Sequence, residues 1–163
     1  MQRSCCQAYS VVTAVECISA NGRCLSPLII WPVLTHRSDW TTHPIPGWHY
    51  ACSLSSFANI AIVLDWYRRV FDPQIKQRAN HRPRILINDR FGLYKSLEVM
   101  QFCHENNIIL CLLPSYTSYK LQPCDVEVFG PLKTSYREHI KELYRGGANI
   151  IDKQHFILLY NQA

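Results

Sequence analysis

Two short apolar runs, separated by the length of one helix, constrain the fold of this chain more than any other feature. Ile85-Leu86-Ile87 and Ile108-Ile109-Leu110-Cys111-Leu112-Leu113 are continuous rather than alternating. That is the pattern of strands buried on both faces of a parallel sheet. Residues 96–107, between them, carry Leu97, Met100 and Cys103-His104 at helical spacing. Ser96 supplies an N-cap, Glu98 a favourable first-turn charge, and Asn106-Asn107 a stop. The unit reads as strand–helix–strand, with a right-handed crossover. Ligands of open α/β sheets sit beyond the carboxyl ends of the strands. Asp89 falls at that end of the first run. Asp125 follows the second run after a loop and opens another helix.

Two carboxylates brought to one rim of a sheet repel each other. Burying one alone raises its pKa and neutralises it, whereas a divalent cation removes the conflict. Carboxylates holding Mg²⁺ or Mn²⁺ are the hard-ligand arrangement of two-metal phosphoryl transfer. On spacing alone the commoner reading is different: Asp89 ends a strand and Asp125 caps a helix.

The rest of the chain reads as one domain over residues 1–163, long enough for a sizeable core. Hydrophobic residues at 48% and charged residues at 18% exclude a disordered chain. A net charge of +5 biases it toward polyanions. No apolar run is long enough to span a membrane. Met1-Gln2-Arg3-Ser4-Cys5-Cys6 does not read as a secretory signal. The eight cysteines include no Cys-x-x-Cys pair, so zinc is not expected, and the chain is too large and core-rich to need a disulfide framework. Cys17, Cys103 and Cys111 stand at apolar positions and read as buried, reduced thiols of an intracellular protein.

Residues 10–19 and 25–31 flank Ala20-Asn21-Gly22-Arg23. Asn-Gly between two strand-like runs predicts a hairpin. Residues 35–57 read as irregular, broken by Pro44 and Pro46, with Trp40 and Trp48 folded back on the body and His36, His43 and His49 as polar loop residues. An amphipathic helix is predicted over 59–71, with Ile60, Val63, Leu64 and Tyr67 as its apolar stripe. Asp72-Pro73 should end it, and 74–83 should be a basic linker. After Asp125 a long helix is predicted to about Tyr144, with Val128, Leu132, Tyr136, Ile140 and Leu143 buried and Gly146-Gly147 as its stop. Lys133, Arg137, Lys141 and Arg145 recur every fourth residue on another face. Such a stripe can neutralise phosphates along a nucleic acid; with Glu138 and Glu142 beside it, a merely solvated face fits as well. A short final helix is predicted over 150–160.

Ile85-Leu86-Ile87-Asn88-Asp89, the run 102–110, and Leu121-Gln122-Pro123-Cys124-Asp125-Val126-Glu127-Val128-Phe129-Gly130-Pro131-Leu132-Lys133 together resemble the DDE superfamily endonuclease domain. This is the catalytic domain of pogo-like and Tigger-like transposases, related also to part of centromere protein B. Val15-Glu16-Cys17-Ile18-Ser19-Ala20-Asn21-Gly22-Arg23, Pro27-Leu28-Ile29-Ile30, Leu64-Asp65-Trp66 and Val70-Phe71-Asp72-Pro73 extend the resemblance over nearly the whole chain. The 35 residues between Asp89 and Asp125 match the pogo-like branch. The resemblance implies an RNase H-like α/β fold, a mixed sheet flanked by helices. It also implies a nuclear protein acting on DNA, with three acidic residues holding two Mg²⁺ or Mn²⁺ ions. Asp89 and Asp125 would be the second and third of these.

The same resemblance implies that the first catalytic Asp lies on a strand preceding the hairpin, central in the sheet. Ten residues precede Val11 and none is acidic. The expectation is therefore a domain incomplete at its N-terminus, with that central strand missing, weak or absent metal binding and impaired cleavage. The first carboxylate is Glu16, on the hairpin itself. Other motifs depart too. Where the family reads Gly-His-x-Ser-His, this chain has Arg90-Phe91-Gly92-Leu93-Tyr94. Where it reads Pro-Pro-His-(Ser/Thr)-(Ser/Thr)-His, this chain has Pro114-Ser115-Tyr116-Thr117-Ser118-Tyr119. Tyrosine is no substitute for imidazole as an acid or base near neutral pH. Arg90 would compete with a metal for Asp89. His to Tyr at 94, 116 and 119, Pro to Ser at 115, Gly to Arg at 90 and Ser to Leu at 93 can each arise from one C-to-T or G-to-A transition, the mark expected of a decaying transposon copy. Three readings stand: a DNA-binding remnant with crippled catalysis; an active endonuclease completed by Glu16, a partner chain or an upstream segment; and a non-functional or interaction-only fragment. Homo-oligomerisation is compatible with the second.

Overall fold

A computed structural model of the chain describes residues 11–33, 45–89, 92–147 and 153–163. It is mixed α/β, with two small sheets and helices packed against them. The first sheet has the order β1 (Thr13–Val15), β2 (Leu28–Trp31), β3 (His49–Cys52). β1 runs antiparallel to β2, with Thr13 opposite Ile30. β3 runs parallel to it, with Leu28 opposite His49. The predicted hairpin is there. Gly22 takes φ 79°, its N–H reaches the Ser19 carbonyl at 2.8 Å, and an Ile18–Cys24 bridge extends the ladder.

β2 is buried at all four positions. Leu28 and Ile30 face one core with α1 (Ile60–Trp66); Ile29 and Trp31 face a second core with α6 (Lys153–Gln162). Across that second core Phe156 meets Trp31 at 5.7 Å and Tyr160 meets Trp48 at 5.9 Å, ring centre to ring centre. Trp48 therefore folds back on the body as predicted. β3 corrects the irregular segment expected over 35–57. His49 is a strand residue, not a loop residue, and its Nδ1 lies 3.4 Å from the Arg69 guanidinium.

Helix α1 starts at Asn59, whose side chain accepts from the Ile62 N–H at 2.9 Å. It does not end at Asp72-Pro73. A π turn (Tyr67–Phe71) leads directly into α2 (Asp72–Ala79), so most of the expected linker is helical. Proline inside a helix clashes with the carbonyl four residues earlier, and the wider π turn just before Pro73 is one way a helix carries it. The buried face is also broader than the expected stripe: Ile62, Val63, Trp66, Tyr67, Val70 and Phe71.

The second sheet pairs β4 (Arg84–Asn88) with β5 (Ile108–Leu112), parallel, Arg84 opposite Ile108. Between them α3 (Leu97–Glu105) is capped by Ser96, and Asn107, at φ 53°, turns the chain out of it. The strand–helix–strand unit is as predicted; burial on both faces is not. Leu86 and Ile108 point into the core with Val99 and Cys103. Ile85 is 69% exposed and Ile109 52%, with Ile87 and Cys111 exposed beside them. Leu97 and Met100 of α3 are likewise exposed. Cys103 is buried as expected, Cys17 only partly, and Cys111 not. The helical layer lies on one side of this two-stranded sheet, so its other face meets solvent.

After the short helix α4 (Ser118–Leu121) comes a second π turn (Cys124–Val128) and then α5 (Phe129–Arg145). α5 buries no residue fully. Leu132, Tyr136, Ile140 and Leu143 are half-buried, and Tyr136 lies between Phe156 and Tyr160 of α6 at 5.6 and 6.2 Å. Gly146 and Gly147, the latter at φ 94°, end the helix where expected. The readings made for Met1 to Cys6, His36, Trp40, His43, Pro44, Arg90 and Ile150 lie outside the described residues.

Candidate nucleic-acid and carboxylate site

Asp89 directly follows β4, at the carboxyl end of the strand, and is partly exposed. Beside it Tyr94, on the 3₁₀ turn Gly92–Lys95, has its hydroxyl pKa pushed up to about 12 by burial, then by the Asp89 charge and by Cys17. Tyr94 stands where the family has an imidazole. A phenol held at that pKa carries its proton throughout the neutral range. Tyr116, at φ 60°, and Tyr119, which stand at two more positions where the resemblance expects an imidazole, are exposed side chains.

Asp125 lies in the first turn of the Cys124–Val128 π turn and is exposed. Its neighbour Cys124 is set against the hairpin: the Ile18 backbone N–H donates to the Cys124 sulfur. Burial raises the Cys124 thiol, and the Asp125 and Glu16 charges raise it further. Cys17, whose charge also acts on Tyr94, and Ile18 lie on the segment that follows β1.

Glu16 is the acidic side chain on that segment. Burial raises its pKa, and the Tyr160 hydroxyl, donating at 2.9 Å, pulls it partly back. β1 places Val15 and Cys17 on the core shared with α1, and Val12 and Ala14 on the core shared with α6. Glu16 falls on the α6 side, which is how Tyr160 reaches it. No local pattern announces this contact, because its partners are 144 positions apart.

A pair of hard divalent cations needs several oxygen ligands each. Among the described residues, no three His, Cys, Asp or Glu side chains are grouped so as to hold a metal ion. Asp125 is exposed, Glu16 is engaged by Tyr160, and Tyr94 beside Asp89 holds its proton. The donors found among the described residues do not by themselves make up a two-metal centre.

The basic stripe is displayed as predicted. Lys133, Arg137, Lys141 and Arg145 are all exposed on α5, and none is in an ion pair among the described residues. At 1.5 Å per residue the four charges extend over about 18 Å. Lys133 also lies over the Phe129 ring, 5.7 Å from its centre.

The chain is mixed α/β, with an aspartate at the carboxyl end of a parallel strand, a second opening a later helix and a basic helix beyond it. The chain belongs to the DDE superfamily endonuclease family, whose model matches residues 9–162. It is also 31% identical over 153 residues to the MFS-type transporter clz9 of Cochliobolus lunatus. That match covers 93% of this chain but only 16% of the relative, so the chain spans less than a fifth of that protein's length. No helix among the described residues is long and apolar enough to cross a membrane. No solved structure matches the chain.

Proposed function

We propose that this chain is a transposase-derived, RNase H-like domain that binds DNA in the nucleus and whose metal-dependent cleavage is impaired. The observation that carries the reading is the row Lys133, Arg137, Lys141 and Arg145, exposed and in no ion pair among the described residues, on a helix of a DDE-family domain. Family membership supports nucleic acid as the partner, and the row supplies charge at a pitch suited to a phosphate backbone. Contacts of this kind neutralise phosphates without reading bases, so binding is sequence-tolerant.

Impairment is supported by Tyr94, which stands where the resemblance expects an imidazole and whose hydroxyl holds its proton near neutral pH. Mg²⁺ or Mn²⁺ would be held weakly by Asp89 and Asp125, without a third carboxylate from this segment. An RNase H-like arrangement also accounts for the two separate sheets. Among the described residues β1 pairs only with β2 and β4 only with β5, leaving one edge of each for a further strand.

The test has two arms. Duplex DNA binding should weaken when Lys133, Arg137 and Lys141 become Ala; unchanged affinity overturns the binding assignment. Incubation of supercoiled DNA with Mn²⁺ should show no cleavage that depends on Asp89. Nicking by the native chain that Asp89→Ala abolishes would establish an active endonuclease instead.

A further inference from the structure

We propose that Tyr116 and Tyr119 form a platform on which unpaired bases of a single-stranded nucleic acid stack. The inference rests on the reading of this chain as a nucleic-acid-binding domain and names a second contact, separate from the α5 row. Tyr116 is 93% exposed and Tyr119 65%. Among the described residues neither ring packs against another aromatic ring. A buried tyrosine stabilises a fold through the area it removes from water; these two leave theirs open. Tyr116 also stands at φ 60°. A bulky side chain in the left-handed region strains the backbone, and glycine or asparagine fits such a turn better. Local strain around an outward-facing ring is a departure that binding sites show.

Hydrogen bonds hold the loop that presents the two rings. The Thr117 N–H and hydroxyl both donate to the Pro114 carbonyl, at 3.3 and 2.8 Å. The Lys120 N–H reaches the Thr117 carbonyl at 2.9 Å as α4 begins. The same piece is tied to the rim that carries the aspartates. The Leu113 N–H donates to the Asn88 carbonyl at 2.9 Å, so the loop leaves β5 beside the residue that precedes Asp89. At its other end the Gln122 carbonyl accepts from the Asp125 N–H at 3.0 Å. The rings therefore sit on the stretch of chain that leads from the Asp89 strand end to the Asp125 turn. Lys120 adds charge there. Its ammonium lies over the Tyr119 ring, 5.3 Å from the centre, and is in no ion pair among the described residues. Residues 114–124 contain no acidic side chain, so this segment offers a phosphate one cation and no repelling charge. Aromatic faces beside a cation suit an unpaired nucleotide: the base stacks, the phosphate pairs, and every base serves because each has a π face. Bases inside a duplex are already stacked on one another. The platform therefore favours single strands, whereas the α5 row meets phosphates in both forms.

Fluorescence anisotropy with three labelled probes, each about 12 nucleotides long, tests this. They are an oligothymidylate, an abasic strand with the same phosphates, and a duplex. The native chain should bind the oligothymidylate at least about fivefold more tightly than the abasic strand. Tyr116→Ala with Tyr119→Ala should lose at least about fivefold in oligothymidylate affinity and leave the abasic strand and the duplex unchanged. The loss should be the same at every salt concentration, because no cation is removed. Tyr116→Phe with Tyr119→Phe keeps both rings and should keep native affinity. Equal native affinity for the oligothymidylate and the abasic strand overturns the platform, with no variant needed, and leaves phosphate binding by α5 standing. An unchanged oligothymidylate affinity in the alanine pair, or a loss that falls alike on all three probes, overturns it too. If no probe binds, the nucleic-acid reading itself falls with it.

Discussion

The Tyr160 hydroxyl donates to the Glu16 carboxylate over 2.9 Å, joining the end of the first strand to the last helix across 144 positions. The contact commits the one acid on the hairpin to a structural partner. Burial, the larger influence, raises the Glu16 pKa above 4.5, and the Tyr160 bond opposes it. A folded pKa above the unfolded one means the stabilising contribution is complete below the unfolded value and lost as pH rises through the folded value. The native chain should lose stability over that window. Glu16→Gln should flatten the loss, and Tyr160→Phe should move it to higher pH. Urea midpoints between about pH 4 and pH 8 read both effects.

Arg84 opens β4 and reaches Asp72 at 2.6 Å, with side chains only 7% and 15% exposed. It also donates to the Asn106 carbonyl and lies over the Phe71 ring, so one cation joins α2, β4 and the end of α3. Removing one member of such a buried pair strands the other. Asp72→Ala should cost about 3–5 kcal/mol, and the double change Asp72→Leu with Arg84→Met should recover much of it. Lys76→Ala, which removes the 65%-exposed partner of the same Asp72, should cost about 0–1 kcal/mol. Equilibrium urea unfolding separates the three.

The two faces of β4 should respond oppositely to truncation. Leu86→Ala, in the core, should lose about 2–5 kcal/mol. Ile85→Thr and Ile109→Thr, on the exposed face, should stay within about 0.5 kcal/mol while reducing self-association. Urea unfolding and light scattering measure the two properties independently.

DNA affinity should fall with salt in proportion to the phosphates neutralised. Removing three of the four α5 cations should flatten the slope of log K against log salt by about 3. Fluorescence anisotropy over a salt series gives the slope. A parallel loss on unrelated DNA sequences is expected, since phosphate contacts carry no base information.

The hairpin, the strand–helix–strand unit and the basic helix were legible in the sequence because each is announced locally. Asn21-Gly22 turns the chain, Ser96 caps a helix, and cations recur at fourth positions. What was not legible depends on which layers meet. The continuous apolar run Ile85-Leu86-Ile87 reads as buried on both faces, yet two-sided burial belongs to Leu28–Trp31, which has a helix on each side. An apolar run looks the same whether its second face is covered or bare. Pro73 misled for a similar reason: the π turn that carries it past the helix leaves no mark in composition. Asp89 and Asp125 stand out in the sequence by their places after the two apolar runs, and the family resemblance gives them a role. Their surroundings, Tyr94 on one side and Cys124 on the other, came only from the fold.

The π turn at Cys124–Val128 sets a phase as well as a shape. A π turn holds one residue more than an α turn, and each helical residue advances the azimuth by about 100°. Excising a single residue there would leave the four cations of α5 intact and equally spaced, yet swing them a quarter-turn or more around the helix axis relative to Asp125. The compass bearing of the basic row, as much as its charge, is written into those five residues.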